Sequence, residues 1–430
     1  MIKFSINPIY SILKLHLHSY LFFMITVKPF RALRPTRDKA YLVATRSYVS
    51  YSDERLEHKL LTNPFTFLHV INPDGKNDNT FGEERFQKVK KKFELFCKER
   101  VFMEEDKPSY YIYQQRTPSH VFTGIIGAIS VDDYNQGKIK KHEHTIAAKE
   151  NLFADYLNST GINTEPVLLI HRPLTALSEI KKKYMDERAE YEFTSTDRIS
   201  HYMWPISDEQ DTEAVENSFK ELNEVYIADG HHRSASSSRL AELRGGAGND
   251  SHDYFMAYML PETTIKIQEF NRLVKTLNGL SKEEFLKKLE EKFFIRWINA
   301  KEFKPNSLHE IGLYVDGDWY ALFTKPGLFD PEHPVEQLDC HIVSTKILAP
   351  ILGVVDERHD SNVDFLPGSY GPKAVVKKVD SGEFKAGFVL YPISMDQLKH
   401  VADAGMFMPP KSTYIEPKMR SGLTIYNLED

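Results

Sequence analysis

Apolar positions along this chain follow two periods, one typical of helices and one typical of strands. Between residues 83 and 96, a phenylalanine or valine recurs every three or four positions, which predicts an amphipathic helix that buries this face. Residues 110–114 and 121–131 are rich in β-forming side chains and predict a hairpin. Residues 254–260 (YFMAYML) are almost continuously apolar and predict a strand buried on both faces. Residues 66–70 (TFLHV) predict a further short strand.

The pattern continues in the C-terminal half. Ser281 and Glu284 form a capping box before an amphipathic helix. Residues 311–315 and 319–323 flank Asp316-Gly-Asp and predict a second hairpin. Strands and helices alternate without an internal repeat, which predicts a mixed α/β (α+β) protein.

The length of 430 residues allows two or three domains with substantial cores. We expect an N-terminal lobe over residues 24–262 and a C-terminal α/β lobe over residues 263–430. Residues 1–23 mix apolar residues with lysine and histidine and lack the apolar centre and cleavage site of a signal peptide. The hypothesis is that Met24 is the true start and that residues 1–23 are not native.

Composition narrows the classes of function. A net charge of -6 argues against a general nucleic-acid binder. Cys97 and Cys340 are the only two cysteines, so no disulfide framework is expected, which fits a reducing cytoplasm. No run of 18 apolar residues is present, so neither a transmembrane helix nor a membrane partner is expected.

Residues 225–233 (VYIADGHHR) carry the strongest chemical signal. An apolar strand runs directly into Asp229, a glycine, two histidines and an arginine. Gly230 stands where the strand must turn sharply, and residues 234–244 predict a helix that follows the turn. A helix N-terminus after a tight glycine turn favours anions, which indicates phosphate binding.

Each polar group in this segment has a chemical role in a phosphate site. Arg233, with Gly230 and His232, is assigned to phosphate or nucleotide binding, because a guanidinium presents a two-pronged donor. His231 is assigned to catalysis as a donor near neutral pH. Asp229 is assigned to binding Mg²⁺ or orienting a hydroxyl, since Mg²⁺ carried by a nucleotide suits carboxylates better than a protein-only zinc does. Glu143 is the candidate general base, although a glutamate early in a helix is also favoured by the dipole alone.

A second polar segment closes the chain at residues 408–418 (MPPKSTYIEPK). Its three prolines predict a stiff loop that presents Lys411, Ser412, Thr413 and Lys418. These side chains suit the oxygens of a phosphate or carboxylate. A solvated loop is the alternative, because lysines are common on surface loops.

The motifs together resemble one bacterial and archaeal family, domain of unknown function 1015. The resemblance runs from about Met24 to the C-terminus and is carried by FRALRP at residues 30–35, Asn63-Pro64, His142-Glu143-x-Thr145, Asp229-Gly-His-His-Arg233, Asn271-Arg272 and the 408–418 segment. By this resemblance His142, Thr145 and Arg272 are assigned to substrate binding.

The Asp-Gly-His-His-Arg turn also resembles the nucleotide-binding turn of the ParB and sulfiredoxin fold. That resemblance implies a ParB/sulfiredoxin-like core at about residues 141–262, embedded in a larger two-lobed protein. Members of that superfamily include free serine kinases, in which a glutamate and a proline-led strand precede the turn. Glu143, Glu165-Pro166 and Asp229 repeat that order here.

Two functions from different classes follow from these expectations. The first is a kinase that uses ATP or ADP with Mg²⁺ to phosphorylate a hydroxyl, with free L-serine as the best guess for the acceptor. The second is a non-catalytic, ParB-like regulatory protein that binds a nucleotide such as ATP or CTP. A phosphatase or phosphotransferase with a phosphohistidine at His231 or His232 is a third alternative. The expected partners are a small molecule and a nucleotide, and the sequence does not decide whether the chain forms a homo-oligomer.

Overall fold

The computed structural model describes residues 24–73, 75, 80–246 and 250–429. The proposed non-native extension, residues 1–23, lies outside the described residues. Two compact units are present: the first falls within residues 1–140, 145–265 and 417–430, and the second within residues 141–144 and 266–416. The lobe boundary expected near residue 262 stays a prediction. Residues 417–430, which we assigned to the C-terminal lobe, make their contacts in the first unit.

Strands occur in both units. In the part of the chain that the structure describes they are β1 (Val27–Lys28), β2 (Leu33–Pro35), β3 (Phe102–Glu104), β4 (Tyr110–Arg116), β5 (Val121–Ser130), β6 (Ile139–Lys140), β7 (Ile162–Asn163), β8 (Val167–His171), β9 (Tyr191–Thr194), β10 (Ser200–Ile206), β11 (Val225–Asp229), β12 (Tyr254–Pro261), β13 (Lys266–Val274), β14 (Phe293–Ile298), β15 (Glu310–Val315), β16 (Asp318–Thr324), β17 (Val363–Pro367), β18 (Ala386–Val389), β19 (Thr413–Glu416) and β20 (Tyr426–Asn427).

Helices alternate with the strands. Over the same described residues they are α1 (Ala40–Val43), α2 (Asp53–Thr62), α3 (Leu68–Ile71), α4 (Gly82–Lys98), α5 (Val131–Asn135), α6 (Ala147–Thr160), α7 (Thr175–Met185), α8 (Glu209–Lys220), α9 (His231–Arg244), α10 (Lys282–Glu290), α11 (Asp339–Val343), α12 (Pro372–Asp380) and α13 (Met395–Asp403). A π-helical turn, Ser344–Leu348, follows α11 directly. The mixed α/β fold class is thus confirmed, whereas the ParB/sulfiredoxin-like core stays a prediction.

A mixed sheet forms the centre of the first unit. Among the described strands its order is β6-β11-β8-β12-β5-β4-β10-β9, with β1 added on β5. The pairs β6–β11 and β8–β12 are parallel, and β8 and β11 are antiparallel. Every residue of β8 and of β12 is buried, which agrees with the prediction of a doubly covered strand for residues 254–260.

The second unit has a separate, antiparallel sheet. The described strands follow the order β14-β16-β15-β18-β13-β17, and β19 pairs with the first half of β13. The predicted hairpin is present as β15 and β16, with Asp316 and Gly317 at its turn, both at positive φ. The capping box of Ser281 and Glu284 opens α10, as predicted.

Three local expectations were wrong. Residues 66–70, predicted as a strand, contain the start of α3. Glu143, considered above as a glutamate early in a helix, precedes α6, which begins only at Ala147. The 408–418 segment, predicted as a loop, contains β19, because the prolines flank residues 413–416 and leave their N–H groups able to pair with β13.

In the described part of the chain, no helix combines the length and the apolar character needed to cross a membrane.

Close packing of β5 against β12 generates a stability prediction. A Cβ placed on Gly124 would lie 2.3 Å from the backbone oxygen of Met259, and a backbone atom cannot move aside as a side chain can. Gly124→Ala is therefore expected to lower the free energy of unfolding by about 2 kcal/mol or more, measured by urea denaturation. Val121→Ala, at an exposed position of the same strand, is the control and should change it by less than about 0.5 kcal/mol. Equal effects of the two substitutions would contradict the packing.

Candidate functional site

A left-handed glycine joins β11 to α9. β11 is buried until its last residue, Asp229, and Gly230 then adopts φ 106° and ψ 27°, so α9 begins immediately at His231. A side chain is strained in this backbone conformation. A Cβ on Gly230 would also lie 3.1 Å from the guanidinium nitrogens of Arg233. The predicted strand, turn and helix are therefore confirmed, and both the backbone conformation and the nearby Arg233 side chain favour glycine at the turn.

Arg233 is the centre of the ion pairs at this corner. Its Nη1 lies 2.8 Å from Oε1 of Glu165 and donates to the carbonyl oxygen of Pro166 at 2.7 Å. Its Nη2 lies 3.5 Å from Oδ2 of Asp229. Lys418 Nζ lies 3.7 Å from the same Asp229 oxygen. Two cations and two carboxylates thus meet at the N-terminus of α9, and we call these four side chains the Arg233 cluster.

Sheet topology explains why these groups meet. Because β11 and β8 are antiparallel, the end of β11 lies beside the start of β8, and Asp229 is registered with Leu168. Glu165 and Pro166 immediately precede β8, so they lie at the sheet edge where α9 begins. The helix dipole adds partial positive charge there.

The two histidines of the motif have different environments. His231 is only 4% exposed, whereas His232 is partly exposed. His232 Nε2 accepts a hydrogen bond from the backbone N–H of Ile146 at 3.2 Å, so this nitrogen carries no proton in that contact. The hydroxyls of Ser236 and Ser237 donate to carbonyl oxygens one turn earlier in α9, which satisfies them inside the helix.

The segment that carries Lys418 is anchored by the two residues Arg420 and Ser421, which follow it. The Ser421 hydroxyl donates to Oε2 of Glu165 at 3.2 Å. The buried Arg420 donates from Nη2 to Oδ2 of Asp197 at 2.6 Å, and Arg46 donates from Nε to the same oxygen at 3.0 Å. These contacts hold the segment in the first unit and place Lys418 at the Arg233 cluster.

Asp197 and His201 belong to one network of polar side chains, and the pKa values of both are shifted. Burial raises the pKa of the Asp197 carboxyl, but the hydrogen bond from Ser195 and the charge of Arg420 outweigh it and hold the pKa well below its usual range. Burial, with a smaller effect of Arg420, lowers the pKa of His201 to about 3. His201 is therefore neutral, and its Nδ1 lies 2.8 Å from the Tyr113 hydroxyl.

Several predicted site residues lie in the second unit. Arg272 is fully buried, and its guanidinium donates to the carbonyl oxygen of Phe270 at 2.7 Å and lies 3.5 Å from Glu357. The Ser412 hydroxyl donates to the carbonyl oxygen of Pro409 at 2.7 Å. Arg272 Nη2 also donates to the carbonyl oxygen of Pro410 at 3.4 Å, which holds the predicted loop against β13.

Lys411 and Thr413, two further predicted site residues of the 408–418 segment, are more accessible. Lys411 has a left-handed φ of 53°, and its Nζ lies 5.3 Å from the centre of the Phe270 ring. Thr413 is the first residue of β19 and is registered with Glu269. Both residues belong to the second unit, whereas Lys418 belongs to the first.

The His-Glu-x-Thr motif is divided between the two units. The carbonyl oxygen of the buried His142 accepts from the N–H of Met408 at 2.9 Å, and the ring of His144 stacks on Phe407, both within the second unit. Glu143 is partly exposed. Thr145, in the first unit, donates its hydroxyl to Glu150.

One carboxylate–histidine group in the described part of the chain could hold a metal ion, and it is separate from the Arg233 cluster. It comprises Asp250, His252 and Asp253, whose ligand atoms lie within 4.8 Å of one another. Asp229 is not part of it. Mg²⁺ at Asp229 therefore stays a prediction that depends on a nucleotide bringing the ion.

A family model described as "Protein of unknown function (DUF1015)" matches residues 27–341, which is most of the chain. The chain belongs to the DUF1015 family. The resemblance inferred from the motifs is thereby confirmed. No match is found among the curated proteins.

Solved structures resemble this DUF1015 protein only distantly. A conserved hypothetical protein from Pyrococcus furiosus has a TM-score of 0.35 and 15% identity, and the alignment covers 68% of this chain and 93% of that protein's chain. A free serine kinase in complex with AMP has a TM-score of 0.36 and 13% identity, with coverages of 74% and 95%. A C-terminally truncated SbnI from Staphylococcus aureus has a TM-score of 0.35 and 14% identity, with coverages of 68% and 82%. Scores this low assign neither function nor ligand.

The structure brings together Asp229, Arg233 and Lys418 among the predicted site residues of the DUF1015 protein. It adds Glu165 and Ser421, which we had not assigned to the site. Glu165 does stand in the sequence directly before a proline-led apolar strand. That signal points to the site only once β8 is known to lie beside β11.

Gly230 provides a prediction about the corner of the DUF1015 protein. Gly230→Ala is expected to lower the free energy of unfolding by about 1–3 kcal/mol, because it combines left-handed strain with crowding of Arg233. Gly245→Ala is the matched control, since Gly245 is also left-handed at φ 66° but a Cβ there meets no atom within 4 Å. The difference between the two variants in urea denaturation measures the crowding together with the extra backbone strain at φ 106°. A loss for Gly230→Ala no larger than that for Gly245→Ala would show that Arg233 moves aside freely.

Asp197 provides a pH-dependent prediction. Because its folded-state pKa is depressed, its stabilisation is present above the unfolded pKa of about 4 and is lost as the pH falls towards the folded value. Asp197→Asn should lower the free energy of unfolding by about 2 kcal/mol at pH 7, and the gap to the parent protein should narrow at pH 3. Urea denaturation at both pH values measures this. Asp186→Asn, at an exposed position, is the control and should leave the free energy of unfolding unchanged at both pH values. A loss of stability in Asp197→Asn that does not depend on pH would show that the charge of Asp197 is not its cause.

Proposed function

We propose that this DUF1015 protein is a nucleotide-dependent kinase that phosphorylates the hydroxyl group of a small molecule, with free L-serine as the first acceptor to test. The observation that carries the proposal is the Arg233 cluster at the start of α9. There Asp229 lies within 4 Å of both Arg233 and Lys418, directly before a left-handed glycine. Phosphoryl transfer depends mainly on positioning and charge neutralisation, and this corner supplies groups for both.

The phosphates of ATP or ADP would bind at the N-terminus of α9. Its dipole favours anions, and Arg233 and Lys418 add two cations from different segments of the chain. Asp229 would bind Mg²⁺ carried by the nucleotide, because Mg²⁺ prefers carboxylate oxygens and keeps several waters. In this proposal Gly230 allows the phosphates to approach the backbone closely.

The acceptor hydroxyl needs a carboxylate that orients it and takes its proton. Glu143 was assigned this role from the sequence. Glu165 is a second candidate, because its Oε1 contacts Arg233 and it lies at the sheet edge where the phosphates would bind. A glutamine at either position removes the base but keeps the size of the side chain, so the two assignments can be separated.

Turnover of the nucleotide tests the proposal. The parent protein with MgATP or MgADP and L-serine should form O-phosphoserine, and Asp229→Ala and Lys418→Ala should each lower kcat/KM by about 100-fold. Lys288→Ala, an exposed lysine on α10, is the matched control and should leave the rate unchanged. Phosphoserine formation is followed by mass spectrometry, so that background nucleotide hydrolysis is not counted.

Other outcomes separate the alternatives. Nucleotide binding, seen as a rise in the thermal midpoint, without turnover of any hydroxylated acceptor would favour the regulatory nucleotide-binding protein. An acid-labile phosphoryl group retained on the protein would favour phosphohistidine chemistry. If no nucleotide raises the midpoint, neither the kinase nor the regulatory proposal survives.

A further inference from the structure

An apolar cavity adjoins the Arg233 cluster within the first unit. Its volume is about 370 Å³, within the range of small-molecule sites. α4 and α6 supply most of its apolar side chains, namely Phe86, Leu152, Phe153, Tyr156 and Leu157. The cavity is therefore suited to the apolar body of a ligand.

Exposed apolar side chains mark the opening of this cavity. Phe81 is 84% exposed, Leu152 48% and Phe153 42%, and all three line it. Large apolar side chains exposed together are uncommon on a protein surface unless the surface binds something. Their joint exposure is an observation independent of the ion pairs.

Three of the polar residues that line the cavity meet at one end of it. Glu165 contacts both of the others, with 2.8 Å to Arg233 and 3.2 Å to Ser421. Arg85 also lines the cavity, and its Nη2 donates to the carbonyl oxygen of Ile71 at 3.3 Å and to Oδ1 of Asn72 at 3.2 Å. This end therefore offers a strong donor beside a strong acceptor. A polar group that both donates and accepts hydrogen bonds is the best match. A hydroxyl does so, because it can accept a hydrogen bond from the guanidinium and donate one to the carboxylate.

We propose that this cavity binds an alcohol whose hydroxyl lies at the Glu165–Arg233 pair and whose apolar body fills the space between α4 and α6. A carboxylate head fits less well, since it cannot donate and is repelled by Glu165. A zwitterion as small as free serine would leave the apolar wall largely unfilled. If the proposed kinase activity is correct, such an alcohol is the next acceptor to test after free L-serine; binding itself does not depend on that activity.

Calorimetric titration without nucleotide tests the apolar part of the proposal. 1-Octanol is expected to bind the full chain about 15-fold more tightly than 1-hexanol, because each buried methylene strengthens binding about fourfold. Leu152→Trp fills the opening and should weaken 1-octanol binding at least tenfold. Leu243→Trp is the matched control, because Leu243 is 54% exposed on α9 and does not line the cavity. Equal affinities for the two alcohols, or equal effects of the two variants, would overturn the proposal.

The head group is tested with sodium octanoate. The parent protein should bind octanoate at least tenfold more weakly than 1-octanol. Glu165→Gln removes the negative charge and leaves Arg233 less neutralised, so this preference should shrink or invert. A general structural defect would weaken the binding of octanoate and of 1-octanol by the same factor. Such an equal loss would overturn the assignment of the head group. Circular dichroism confirms that each variant is folded.

The nucleobase is the competing occupant. ADP binding that is lost in Leu152→Trp, together with no heat from 1-octanol, would overturn the alcohol proposal and assign the cavity to a base. Failure of the kinase proposal has a different signature. In that case no phosphorylated product forms, while 1-octanol still binds with the expected dependence on chain length.

Discussion

The contact between Arg233 and the two carboxylates around it is the interaction on which the rest of the candidate site depends. The guanidinium joins Glu165, which precedes β8, to Asp229, which ends β11. It also donates to the carbonyl oxygen of Pro166, so the start of β8 is held by backbone and side chain together. Because guanidinium geometry is planar and forked, one side chain can satisfy these groups at once, and lysine could not.

Charge balance follows from this arrangement. Arg233 and Lys418 carry two positive charges, and Glu165 and Asp229 carry two negative charges within the same cluster. A bare phosphate would therefore compete with the carboxylates for the cations. In the proposed kinase, a nucleotide that brings its own Mg²⁺ would give Asp229 a partner and would leave Arg233 and Lys418 to the phosphate oxygens. On this proposal the cluster would suit a metal-bound nucleotide better than a free anion.

Local elements of this site could be predicted from the sequence, because strand, glycine turn and helix follow one another over a few residues. The partners of Arg233 could not, because they depend on sheet order: Glu165 reaches the corner through the antiparallel pairing of β8 and β11, and Lys418 through the anchoring of Arg420 on Asp197. The strand predicted at residues 66–70 failed for a different reason. A short apolar run has the same composition in a buried helix and a buried strand, and periodicity cannot separate them.

The residues that line the cavity restrict the choice of acceptor for the proposed kinase more than the Arg233 cluster does. Free serine carries an ammonium and a carboxylate, and each would need a partner if moved out of water. The charged residues that line the cavity already have partners: Glu165 and Arg233 pair with each other, and Arg85 donates to the carbonyl oxygen of Ile71 and to Asn72. Apart from Arg85, the walls formed by α4 and α6 are mainly aromatic and aliphatic, so they stabilise an apolar body but not a further charge. An acceptor with one hydroxyl and an apolar body avoids this cost, because its single polar group lies where the protein can both donate and accept.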